Sequence, residues 1–111
     1  MRRIAVPVER GKLDSCFERC KRFKIIEVKD CAIVKESTVV APLFEMQELS
    51  DWLVGNSVTD VIVNRIKQEL VKICNLNKVN VFVGVQNKAL NELVQDYIDG
   101  VLLTNGDMVG E

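Results

Sequence analysis

The sequence has no histidine among its 111 residues. Any general base or metal-binding imidazole is therefore excluded, and cysteines and carboxylates are left to supply such chemistry. Long apolar runs are also missing: none approaches the ~20 residues needed to span a bilayer. The opening stretch, Met1-Arg2-Arg3-Ile4-Ala5-Val6-Pro7, lacks the apolar core of a signal peptide, because Pro7 and Glu9 interrupt it. A cytoplasmic location is expected, where Cys16, Cys20, Cys31 and Cys74 stay reduced. There is no C-x2-C pair. The cysteines are separated by 3, 10 and 42 residues, which matches none of the usual zinc frameworks. A charge imbalance is absent too, since 15 Lys+Arg face 16 Asp+Glu. That argues against a broad footprint for nucleic acid or an anionic membrane, and Lys21, Arg22 and Lys24 read as a solvated strand end. No internal repeat or low-complexity linker divides the chain.

What is present suits one domain. A chain of this length removes roughly 65% of its unfolded surface from water, so it needs neither disulfides nor a structural metal to fold. Arg3 to Val8 reads as a first strand, with Pro7 marking where it leaves the ladder. Gly11 to Cys20 has turn chemistry. Arg22 to Val28 and Ala32 to Val40 read as strands two and three, antiparallel because the Lys29-Asp30 turn is too short for a crossover. The period then changes. Met46, Leu49, Trp52 and Leu53 recur at helical spacing, with Gly55 as a stop. Asp60 to Asn64 and Lys78 to Val85 read as strands covered on both faces. Ile66, Leu70, Ile73 and Cys74 line a second helix; Leu90, Leu93, Val94, Tyr97 and Ile98 line a third, ended by Gly100. The order βββαβαβα predicts an α/β domain over 1–103 and a flexible, polar C-terminal tail over 104–111. Strand two should be antiparallel to strands one and three, with strands one, four and five mutually parallel. Leu49, Leu70 and Leu93 should face the sheet.

Three stretches, taken in order, carry a resemblance. Ile4-Ala5-Val6-Pro7-Val8 leads into Gly11-Lys12-Leu13-Asp14-Ser15-Cys16-Phe17, Phe23 to Val34 follows, and Ala89 to Gly100 with Val101-Leu102 closes the domain. Together they resemble the dinitrogenase iron–molybdenum cofactor biosynthesis family (NifX and NifB C-terminal type), in which the first strand runs into a Ser-His-Phe-Gly loop. The resemblance implies a ribonuclease-H-like, five-stranded mixed sheet with helices packed on its faces. It also implies a carrier protein that binds an iron–sulfur or iron–molybdenum cluster, or its precursor, without catalysis. Cluster donor or acceptor proteins are the implied partners, and a homodimer is an open form of assembly. Two departures stand out: Cys16 replaces the family histidine and Glu18 its glycine. In addition, Asn64-Arg65-Ile66-Lys67 replaces a glycine-rich turn, placing side chains where backbone amides would otherwise approach an anionic ligand.

The candidate cofactor-binding residues are therefore Ser15, Cys16, Phe17, Asn64 and Arg65, with Cys16 and Cys20 as candidate metal ligands. Thiolates suit iron–sulfur clusters and soft metals, and residues four apart share a face on any helical turn. The competing reading is plain burial, because Cys is among the most buried residue types, and two thiolates fall short of a closed cluster site. Cys74 reads as core and Cys31 as a bystander at a hairpin tip. Asp14 and Ser15 can simply cap a turn. Arg65 follows a parallel strand, at the end where α/β sheets bind ligands, or it is a solvated first-turn residue. Trp52 reads as core or interface. Strand one carries no carboxylate and strand four only Asp60, too few for two-metal nuclease chemistry. A nucleophilic Cys16 would have no histidine to activate it. The chain is expected not to be an enzyme. A member that has lost its ligand and acts as a metal-free interaction or regulatory module is the alternative.

Overall fold

Runs of β-branched residues build the first half of the molecule. The computed structural model describes residues 1–10, 12–13, 22–40, 46–86, 89–106 and 109–110. β1 (Arg2–Glu9) pairs antiparallel with β3 (Arg22–Lys29), which pairs antiparallel with β4 (Ala32–Val40). The β3–β4 turn falls on Asp30 and Cys31, one residue later than Lys29-Asp30. Both take positive φ (52° and 62°), the left-handed pair that a two-residue hairpin loop requires. On the other side of β1, β5 (Asp60–Ile62) and β7 (Asn80–Phe82) are parallel to it and to each other. The long strands thus run β4-β3-β1-β5-β7, with every expected direction realised.

The strand count needs correcting. The sheet has six strands, because β2 (Lys12–Leu13) folds back antiparallel on the end of β1 inside a stretch expected to be loop. A separate two-stranded sheet joins β6 (Ile66–Lys67) to β8 (Val109–Gly110) in parallel. Ile66 therefore belongs to a strand rather than to the second helix. The reason is local: Lys67 is extended (φ −70°, ψ 144°), and α2 starts only after it. Part of the stretch expected as a tail is thus paired. Strands β5 and β7 are also shorter than the runs Asp60–Asn64 and Lys78–Val85. Their ladder closes where Gly84 turns left-handed (φ 77°).

Alternation along the strands produces two cores, one on each side of the sheet. Ala5, Phe23, Ile25 and Val61 point to the face covered by α1 (Met46–Gly55) and α2 (Gln68–Leu76), meeting Leu53, Leu70, Ile73 and Cys74. Ile4, Val6, Ile26 and Ile62 point to the opposite face, against Leu90, Leu93 and Val94 of α3 (Leu90–Asp99). Leu70 and Leu93 are buried as expected; the Leu49 side chain lies outside what the structure describes. Trp52 is half-buried and packs against this core, its ring 4.7 Å from that of Phe23. A left-handed residue follows each of the three helices. Gly100 caps α3; α1 ends at Gly55, as expected, with its left-handed residue two positions on at Ser57, and Lys78 takes the same conformation two residues after α2. In each case a backbone N–H reaches five residues back: Val58 to Leu53, Val79 to Cys74 and Val101 to Asp96.

Candidate functional site

Parallel pairing collects the carboxyl ends of β1, β5 and β7 along one edge of the sheet. In open α/β sheets this edge is where loops converge on a ligand. At β1 the chain turns through Arg10, pairs Leu13 with Val8, and bridges Lys12 to Ala89 ahead of α3. At β5 it continues through Val63, Asn64 and Arg65 into β6. At β7 it passes Gly84 and Val85, both bonded to the loop after β5: the Gly84 N–H donates to the Asn64 carbonyl (3.0 Å) and the Val85 N–H to that of Val63 (3.2 Å). The C-terminal segment closes this corner, where the Asn105 N–H donates to the Val83 carbonyl at 2.8 Å. A Cβ on Gly84 would stand 2.4 Å from the Asn105 carbonyl oxygen. Only glycine allows the two segments this approach.

The structure treats the sequence-predicted site residues unequally. Ser15, Cys16, Phe17 and Cys20 lie outside the described residues, as does Asp14. Their tethers are described. Leu13 sits beside Val8, and Phe23 pairs with Pro7, so both described flanks of residues 14–21 lie at this same edge. In sequence Cys16 is three residues from Leu13 and Cys20 two from Arg22. Asn64 is half-buried, and its Nδ2 donates to the Val85 carbonyl at 2.9 Å. Its amide therefore ties two loops together. Arg65 is exposed at the same edge, following a strand parallel to β1.

Cys31 and Cys74 are separated from this edge. Cys31 is exposed at the far tip of β3, whose eight residues span roughly 25 Å. Cys74 is fully buried, and desolvation pushes its thiol up to about 11, so at neutral pH it holds its proton. Among the described residues no three His, Cys, Asp or Glu side chains gather in a metal-holding arrangement. Gly84 and Asn105 were not singled out from the sequence, although a glycine directly after a buried strand is a readable sign of close backbone approach.

The opposite edge holds a different constellation. Asp60, 1% exposed, accepts hydrogen bonds from Thr59 Oγ1 (2.7 Å) and Asn80 Nδ2 (3.0 Å), and Arg2 stands 3.6 Å away. Tyr97 completes the group: burial, then the charge of Asp60 and a hydrogen bond to it, push its phenol up to about 12. A cavity of about 380 Å³ lies beside it, lined by Arg2, Val28, Lys29, Cys31, Tyr97 and Ile98 among others. Every buried polar side-chain atom among the described residues has a partner. This end is a satisfied polar seam.

The comparisons with known proteins agree with this geometry. The family model described as dinitrogenase iron-molybdenum cofactor matches residues 1–100. The solved structure titled PH0822 superposes with a TM-score of 0.85 at 19% identity, covering 96% of each chain. The apo form of the orange protein from Desulfovibrio gigas superposes with a TM-score of 0.78 at 17% identity, covering 96% of this chain and 94% of that one. A Methanocaldococcus jannaschii protein provisionally described as a dinitrogenase gives 0.75 at 19% identity, with 94% of each chain covered. At such identities these structures establish a shared mixed α/β fold. Among curated proteins no sequence match is found.

Proposed function

The chain belongs to the dinitrogenase iron-molybdenum cofactor family, and from that premise we propose that it binds and carries an iron–sulfur or iron–molybdenum-type cluster, or its precursor, without catalysing a reaction. We read the β4-β3-β1-β5-β7 core as a ribonuclease-H-like sheet, with β2 and the β6–β8 pair as additions. One observation carries the functional reading: the described flanks of the Cys16–Cys20 segment, Leu13 and Arg22–Phe23, are anchored at the sheet edge that also presents Arg65. This reading puts both thiols at that edge, since Cys16 is three residues from Leu13 and Cys20 two from Arg22. The donor chemistry fits the cargo, since thiolates are the natural ligands of iron–sulfur species, and a guanidinium offers hydrogen bonds to an anionic cluster.

In this reading Cys16 takes over the ligand position that histidine fills elsewhere in the family, and Cys20 is the second thiol. Two thiolates leave coordination positions on the metal for a donor or acceptor protein, which suits a carrier better than a closed store. No described helix is long and apolar enough to cross a membrane, and in this reading the carrier works in the cytosol, which keeps its thiols reduced. The test is purification without oxygen, followed by reconstitution with iron and sulfide. Visible absorption and stoichiometric iron in the wild type, greatly reduced in Cys16→Ala, support the proposal. A wild type that takes up no iron, molybdenum or other metal favours the metal-free interaction module instead.

A further inference from the structure

β4 is nine residues long and is the outermost strand of the sheet, and from Ala32 to Thr38 every residue is exposed. Edge strands of this length usually carry several features that block further pairing, because their free backbone groups recruit another strand. Here the blocking is light. One residue, Val34, bulges where the β3–β4 register shifts, and Lys35 is the one cation in β4. Val34 and Val40 are 55% and 79% exposed. The opposite edge of the sheet is β7, only three residues long, and beyond it the Asn105 N–H is bonded to the Val83 carbonyl. Among the described residues the sheet therefore has one long open edge and one short one.

The sequence of that edge fits itself in one register. In an antiparallel two-fold pairing that continues the sheet, opposed residues must share a face, so the axis passes through a residue. An axis at Glu36 opposes two carboxylates, and one at Lys35 opposes two ammonium groups. An axis at Thr38 shortens the overlap to residues 36–40. An axis at Ser37 pairs Ser37 with itself, Glu36 with Thr38 and Lys35 with Val39, and it brings Val34 against Val40 at both ends. That register avoids like charges in direct opposition and sets Val34 against Val40, two of the exposed apolar residues of β4. The register with β3 confirms the faces: Lys35, Ser37 and Val39 lie opposite Glu27, Ile25 and Phe23, on the α1–α2 side.

We propose that β4 is a homodimerisation edge, pairing antiparallel with β4 of a second copy about a two-fold axis at Ser37. The pairing uses the long edge of both copies and leaves the short β7 at each end, so it closes at two subunits. It does not rest on the cluster-carrier reading, since β3 and β1 stand between β4 and β5, the strand that Arg65 follows.

The test is sedimentation equilibrium of the full chain from micromolar to millimolar concentration, with far-UV circular dichroism to verify folding. The wild type should shift from monomer to dimer as concentration rises. Val34→Lys, which sets a cation against Val40 at both ends, should weaken association at least tenfold. Adding Val40→Glu to it creates two opposite-charge pairs in this register and should restore association. A wild type that stays monomeric at millimolar concentration overturns the proposal, and so does a dimer indifferent to Val34→Lys. A folded double variant as monomeric as the single one overturns the register, and assembly beyond two subunits overturns the closed edge.

Discussion

Cys74 and Asn64 show how far single residues can be read without coordinates. Cys74 falls on the apolar stripe with Leu70 and Ile73, and it is buried as that spacing requires. Its raised pKa makes a pH prediction. The folded thiol titrates at about 11, above its ordinary value of 9.0. Its contribution is intact below about pH 9 and is lost as pH rises through 11, because the unfolded chain releases the proton first. Urea unfolding should show stability falling by on the order of 2 kcal/mol across that window, and Cys74→Ala should flatten much of the slope. The alanine variant itself should cost roughly 1–2 kcal/mol at pH 7. Tyr97 acts in the same direction at higher pH, since its folded value is raised to about 12. Asn64 is different. Its sequence position marked it as a loop residue free to meet a ligand, but its partner is the carbonyl of Val85, twenty-one residues away. No local pattern encodes a bond between two loops that meet only after the sheet has formed. Gly84 belongs to the same corner, and Gly84→Ala should destabilise by about 2–4 kcal/mol, through both its left-handed backbone and the contact with Asn105. Thermal unfolding would measure this.

At the scale of elements, periodicity located the strands and helices well and their ends less well. β3 and β4 match their expected spans to within a residue, because alternation and the turn act over short distances. α1 ends at Gly55, the expected stop, but the left-handed turn that closes it falls two residues later at Ser57, where the Val58 N–H reaches back to the Leu53 carbonyl. Ser57 and Lys78 occupy conformations that glycine adopts without a Cβ penalty. Ser57→Gly and Lys78→Gly should each raise stability by roughly 0.5–1 kcal/mol, as should Cys31→Gly in the β3–β4 turn. Chemical denaturation would read these shifts, and a loss of stability in all three would contradict the assigned end geometry. β6 and β8 were not legible at all. Two-residue strands carry no period, and Val109–Gly110 sits in a polar stretch and forms a strand by meeting Ile66–Lys67.

Across the whole molecule, the sheet puts the two described thiols in distinct environments. Cys31 lies at the far tip and Cys74 inside the core, whereas Leu13 and Arg22, which flank the segment of Cys16 and Cys20, lie at the carboxyl-end edge with Arg65. The fold class and the strand directions followed from the order of periodic segments. The candidate site could be assigned only to stretches of chain, because coordination depends on how a short polar loop is arranged, and no hydrophobic pattern records that. If the edge carries the cluster, the two pairs of cysteines are not equivalent. The most direct measurement is iron bound per chain after anaerobic reconstitution of two double variants, Cys16→Ala/Cys20→Ala and Cys31→Ala/Cys74→Ala, beside the wild type. The carrier account predicts that the first loses its iron and its visible absorption, while the second keeps both at wild-type stoichiometry, though it unfolds at lower temperature. Iron retained by the first variant, or lost from a folded second variant, would contradict it.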